Sequence, residues 1–199
     1  MTRRRTTIDL EAYFDAGFEE HVAVAAASRG TLGGAFVRLV ERAAEAVAGG
    51  GKILLFGNGG SAADAQHLAT ELTVRFDAAR APIAALALTT DTSTLTAIGN
   101  DFGFDHLFSR QIEALGRGGD LALAFSTSGT SRNVVRGLES ARDLGLTAAA
   151  FTGRGGGDLA GLADPLLAVP SDATARIQEM HITLGQLFCG ALERRLGLV

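Results

Sequence analysis

His67 and Glu71 stand four residues apart in a stretch that reads K-I-L-L-F-G-N-G-G-S-A-A-D-A-Q-H-L-A-T-E-L-T-V-R from Lys52 to Arg75. On a helix that spacing puts an imidazole and a carboxylate on one face within mutual reach. Such a pair suits a general base or half of a metal site, although two merely solvated side chains fit the spacing equally well. Just before them, Gly57, Gly59 and Gly60 permit backbone angles that turn amide N–H groups toward one point, and Ser61 stands where a helix N-cap belongs. A second chemical cluster is Ser126-Thr127-Ser128-Gly129-Thr130-Ser131. Five hydroxyls and a glycine entering a helix supply donors together with the positive end of the helix dipole, a site suited to a phosphate monoester. Such a run also serves as a plain cap, but its density between a buried strand and a helix favours function.

The elements that must position these groups alternate along the chain. Ile53-Leu54-Leu55-Phe56 is a short, continuously apolar run of the kind buried on both faces of a sheet. Further strands are expected at 83–88, 120–125, 146–151 and 165–169, with helices at 62–75, 92–98, 107–115, 132–144, 159–163 and 173–196. Breaks are expected at 99–103 and in the glycine loop 152–157. Two helices precede the first strand, one over 8–28 with a turn at Arg29-Gly30, the other over 32–48 ending in Gly49-Gly50-Gly51. Both are apolar enough to favour packing between subunits, with a core role as the alternative. Alternating strands and helices imply a parallel sheet covered on both faces, with ligands beyond the carboxyl ends of the strands at a topological switch point. The last helix carries Ile177, Met180, Leu184, Leu187, Phe188 and Ala191 on its apolar stripe. Gln178 and Gln186 lie off that stripe, two turns apart, facing a cleft or water. His181, near the stripe, reads as a core histidine, and His21 is given no chemistry.

Composition narrows the function classes. The 199 residues, 47% apolar, suffice for one domain, divided into a helical pair at 1–50 and an α/β core at 51–199. With a net charge of −4 and scattered basic residues, no nucleic-acid footprint stands out. Arg3-Arg4-Arg5 reads as a solvated arm, and no apolar stretch is long enough for a bilayer, so a cytoplasmic protein is expected. The single Cys189 precludes an internal disulfide framework and reads as a packed thiol.

Taken together, F-G-N-G-G-S, S-T-S-G-T-S and A-R-I-Q-E-M-H at the start of the last helix resemble the sugar isomerase (SIS) domain family, in particular its phosphoheptose isomerase branch, over nearly the whole chain. The resemblance implies an α/β fold, a five-stranded parallel sheet flanked by helices in a flavodoxin-like three-layer sandwich, and a homotetramer with active sites at subunit boundaries. It implies conversion of sedoheptulose 7-phosphate to D-glycero-D-manno-heptose 7-phosphate for heptose biosynthesis. By position, Asn58, Gly59, Gly60 and Ser61 would hold the sugar, with Asn100 and Asp101 against it. Ser126, Thr127, Ser128 and Ser131 would hold the phosphate. Glu71 would be the catalytic carboxylate, and Gln178 would contact substrate or a zinc ion that some members bind with His67 and Glu71.

The family's last catalytic position, two turns after Gln178, is usually a histidine, and here it is Gln186. An amide neither accepts nor delivers a proton near neutral pH and is a weaker zinc ligand than imidazole. A single base, Glu71, still suffices for the carbon proton transfer of an enediol mechanism, with His67 as a substitute proton carrier. Two other functions share these motifs: a non-catalytic tetramer that binds a replication initiator protein, and a sugar-phosphate sensor. The initiator-binding group lacks a carboxylate at the place of Glu71 and has S-T-R-G where this chain has Ser126-Thr127-Ser128-Gly129; both features here follow the isomerase.

Overall fold

The computed structural model describes residues 8–199, so Arg3-Arg4-Arg5 lies outside the described residues. Five strands form one parallel sheet: β1 (Ile53–Gly57), β2 (Ala85–Ala87), β3 (Leu121–Ser126), β4 (Thr147–Thr152) and β5 (Leu166–Ala168), in the order β2-β1-β3-β4-β5. Alternate side chains of each strand serve two apolar layers, as the period of two requires. Ile53, Leu55, Leu123, Phe125 and Phe151 pack against α2 (Gly33–Ala48), α3 (Gly60–Thr73) and α7 (Thr174–Arg195). Leu54, Phe56, Ala122, Ala124 and Ala150 face α4 (Thr92–Asp101), α5 (Ser109–Leu115) and α6 (Arg132–Asp143). The expected three-layer α/β architecture is therefore what the chain adopts. Among the described residues no helix is long and apolar enough to cross a membrane.

The first helix, α1 (Leu10–Thr31), corrects the expected turn at Arg29-Gly30. Helix continues through Gly30, because one glycine costs a helix only about 1 kcal/mol. The break falls at Leu32, which is 7% exposed and packs with Val169, Ile177 and Met180; a tertiary contact decides the boundary. α2 buries Leu39, Val40, Ala43, Ala44 and Ala46 within the chain, so it is a core helix, whereas Ser28 is the buried residue of α1. Leu187, expected on the buried stripe of α7, is 58% exposed.

Glycine conformation explains the other differences. α4 runs through Asn100 and Asp101 instead of breaking at Gly99, and the stop comes at Gly103 with φ 88°. A helix at 159–163 does not form. A 3₁₀ segment spans Arg154–Leu159 in its place, with Gly155, Gly156 and Gly157 all at positive φ, where a right-handed helix cannot propagate.

Candidate active site

β1 lies between β2 and β3, so the chain leaves β1 toward one face of the sheet and β3 toward the other, and the two loops diverge around a crevice at the strands' carboxyl ends. Gly57 pairs with Phe125 across that point. A Cβ on Gly57 would approach the Phe125 carbonyl oxygen to 2.7 Å, so only glycine lets the loops meet this closely. Gly59, at φ 58°, is the residue before α3 and Gly60 its first residue. Ser61 is therefore inside the helix, 3% exposed, and not its N-cap as expected. The tight turn uses the Ser61 and Ala62 amides on the carbonyls of Asn58 and Gly59. Asn58 forms a reciprocal amide pair with Asn133, the second residue of α6, each Nδ2 donating to the other's Oδ1 at 2.8 Å. Asn133 is 3% exposed and was not singled out from the sequence; its position two residues after Ser131 was the available signal.

The hydroxyl loop folds on itself at the start of α6. Ser126 Oγ accepts from the Gly129 amide at 3.1 Å and lies 3.4 Å from Ser131 Oγ, while Ser128 Oγ accepts from the Thr130 amide at 3.2 Å. Ser131 is the cap residue of α6, but its hydroxyl makes no cap hydrogen bond. First-turn amides have no acceptor within a helix, so this end offers N–H groups and hydroxyls together to an anion. The loop is braced from β4's side: Gly129 sits so close to Gly156 that a Cβ would strike the Gly156 carbonyl, and one on Gly157 would meet the Ser128 carbonyl oxygen at 2.8 Å.

α3 and α7 run side by side in the same direction. The Gln178 amide lies over Gly60, where a Cβ would push it aside; Gly185 abuts Leu68; Gly190 faces Phe76. His67 Nε2 lies 3.3 Å from Glu71 Oε1, with side chains 46% and 21% exposed. The charge of Glu71 is felt at Cys189 of α7, which places the carboxylate along this helix pair. Gln186, one residue past Gly185 on α7, is exposed. Asp64, one turn before His67, keeps a buried carboxylate oxygen without a partner, and desolvation raises its pKa against the opposing pull of His67. Thus Asn58, Gly59, Gly60, Gln178 and the hydroxyl loop meet around the crevice, with His67, Glu71 and Gln186 farther along α3 and α7. Asn100 and Asp101 sit on the last turn of α4, bonded to each other at 2.7 Å, and no hydrogen bond ties them to the other candidates among the described residues.

Zinc takes three or four imidazole, thiolate or carboxylate donors at a protein site. His67 and Glu71 supply two and the glutamines only amides, and no group of three or more His, Cys, Asp or Glu is clustered for a metal among the described residues. The donor set does not complete a zinc site.

The remaining singled-out residues are structural. His181 is fully buried between Phe125 and Phe151, and burial pulls its pKa down to about 4. Neither ring nitrogen has an aligned hydrogen-bond partner, although the Thr152 backbone lies near enough to pull slightly the other way. His21 Nδ1 meets Glu179 Oε2 at 2.8 Å, joining α1 to α7. Burial, and then the charge of Glu71, push the Cys189 thiol up to about 12.

Residues 18–153 match the SIS domain family. The chain is 57% identical over 181 residues, 91% of its length and 94% of the relative's, to the phosphoheptose isomerase of Paramagnetospirillum magneticum. It is 59% identical over 150 residues, 75% of its length and 78% of the relative's, to that of Aquifex aeolicus. Among solved structures it is similar to phosphoheptose isomerase GmhA from Neisseria gonorrhoeae, with a TM-score of 0.88 and 45% identity over 93% of this chain and 99% of that one. A phosphoheptose isomerase from Francisella tularensis gives a TM-score of 0.91 and 34% identity, covering 94% and 100%.

Proposed function

Membership of the SIS domain family, to which this chain belongs, is the premise from which we propose that it is an aldose–ketose isomerase interconverting sedoheptulose 7-phosphate and D-glycero-D-manno-heptose 7-phosphate. The observation that carries this reading is the pairing of a phosphate-type loop, Ser126–Ser131, with a carboxylate, Glu71, on the helix that leaves the neighbouring strand. Relatives at 50–59% identity bear the name of that activity.

Ser126, Thr127, Ser128 and Ser131 with the first turn of α6 hold the phosphate, and the carbon chain extends past Asn58, Gly59, Gly60 and Gln178 toward Glu71. Glu71 removes a proton from C1 of the ketose. The C–H electron pair becomes the C1–C2 double bond, and the carbonyl π pair moves onto O2. Hydrogen-bond donors at the site stabilise that oxyanion, the term that lowers the barrier most in reactions of this type. The protonated Glu71 then returns its proton to C2 as the C1 carbonyl forms. A second proton must pass from O1 to O2. His67, whose imidazole lies 3.3 Å from Glu71 and can both accept and donate a proton, serves as carrier. Gln186 donates a hydrogen bond but cannot transfer the proton. Asn100 and Asp101 complete the sugar site from α4. Every step here is assigned to side chains, because the donor set falls short of a zinc site.

We further infer a homotetramer with sites at subunit boundaries, in the cytoplasm. The exposed apolar side of α1 supports the oligomer. The test of function is direct: purified protein, with and without added zinc, is incubated with sedoheptulose 7-phosphate and the aldose product is measured. Tight binding without product would make the protein a sensor; absence of both would remove the reading entirely.

A further inference from the structure

Asn133 belongs to α6 and Asn58 to the turn after β1, 75 residues apart in sequence. Their amides face each other with two 2.8 Å hydrogen bonds. Each primary amide has two N–H donors and two acceptor lone pairs, and a reciprocal pair uses one of each. Asn58, half-buried, therefore keeps one N–H and one lone pair for a ligand. Their direction is set, because the pair requires nitrogen opposite oxygen on both sides and neither amide can flip alone. Asn133 is 3% exposed, so water cannot replace Asn58 as its partner. The phosphate loop has its own supports, the Ser126–Gly129 bond and the packing of Val134 and Leu138 in the core.

We propose that Asn133 is a positioning residue for sugar recognition: its amide pair locks the orientation of Asn58 and fixes the sugar-binding turn against the phosphate-binding helix, while leaving the phosphate subsite independent. The inference rests on the sugar-phosphate reading of the site. A structural cap would serve the loop as a whole. A positioning residue should affect the sugar and spare the phosphate.

The experiment compares calorimetric affinities for inorganic phosphate and for sedoheptulose 7-phosphate in the parent, Asn133→Ala and Asn133→Leu, the second filling the volume without the amide. Phosphate affinity also reports that the loops have folded. Both variants should bind phosphate within about twofold of the parent. The additional affinity that the sugar confers should fall on the order of tenfold, as expected for one lost, well-oriented hydrogen bond with its partner left free, and kcat should fall with it. An unchanged sugar-to-phosphate ratio overturns the proposal, as does recovery in Asn133→Leu, equal weakening of both ligands, or failure of both variants to fold. The two readings fail separately. A parent that binds sugar phosphate without turnover sinks the isomerase but leaves the affinity ratio to decide on Asn133, whereas normal turnover in both variants sinks Asn133 alone.

Discussion

At the scale of single residues, Glu71 and Gln186 define the chemistry that can be tested. Glu71→Gln keeps the shape and removes the base, so isomerisation should fall by about 10²-fold or more while calorimetric phosphate affinity is retained. Gln186→His should act in the opposite sense. The substitution adds a third zinc-type donor to the two of His67 and Glu71, and turnover, zinc affinity measured by titration, or both should rise. A fast parent that Gln186→His slows would mean the amide itself orients substrate. Replacing Ser126 and Ser128 together with Ala should weaken sugar-phosphate binding by up to several kcal/mol, since each hydrogen bond to a charged group contributes about 1.5–3 kcal/mol. Unchanged affinity would take the loop out of the site. His181 makes a separate prediction about pH. Its pKa falls from 6.5 to about 4 through burial. Above pH 6.5 the ring is neutral folded or unfolded; as pH drops below 6.5 the unfolded chain protonates first. Stability then declines until the folded ring protonates near pH 4, by up to about 3 kcal/mol. Denaturant unfolding at pH 7 and 4.5 should show a smaller difference in His181→Leu than in the parent.

At the scale of elements, the placement of Glu71 depends on how α3 ends. The Arg80 side chain, fully buried, donates to the carbonyls of Glu71 and Leu72 at 2.8 Å and to Glu193 Oε1 of α7 at 2.6 Å. Glu193 also accepts from the Phe76 amide at 3.1 Å. One guanidinium thus satisfies two C-terminal carbonyls of α3 and ties that helix to α7, with the cation at the favourable end of the dipole. Removing one partner of a buried ion pair strands the other, so Arg80→Ala should cost about 3–5 kcal/mol in denaturant unfolding. The paired change Arg80→Met with Glu193→Leu should recover part of that loss. A single variant as stable as the parent would show that the pair is not holding the helices. Opposite the site, Asp120 performs a similar service for the amino ends of β1 and β3. Burial would raise its pKa, but Lys52 Nζ at 2.6 Å and the amides of Lys52 and Arg117 outweigh that and hold it below the usual range.

At the scale of the whole molecule, α1 leaves Leu10, Tyr13, Phe14, Phe18 and Val22 between 60% and 75% exposed, beside a groove of about 750 Å³ against the start of α7. A contiguous apolar face of this kind is the surface on which the proposed tetramer would be built. Sedimentation at micromolar concentration should show a tetramer and no monomer, and Phe14→Asp with Phe18→Asp should shift it to smaller species. A monomeric parent would count against sites shared between subunits. α2, equally apolar in sequence, buries its stripe within the chain, so periodicity alone did not separate the core helix from the exposed one.

That contrast marks the boundary between local and tertiary information. Local information sufficed for the alternation of buried strands and helices, the two loops at the strands' carboxyl ends, and the His67–Glu71 pair, because apolar period, glycine freedom and i,i+4 spacing act within a few residues. Element ends were less legible. Helix through Gly30 depends on Leu32 finding a pocket, and the stop at Gly103 instead of Gly99 depends on which glycine takes positive φ. The departure at Gln186 was visible from its spacing after Gln178, but the packing of α7 on α3, with Gln178 over Gly60 and Gly185 against Leu68, needed the folded chain. Asn133 and Arg80 stayed hidden because their roles consist of contacts with Asn58, 75 residues away, and Glu193, 113 residues away. An amide or a guanidinium carries no local sign of its partner; only the folded chain brings the two together.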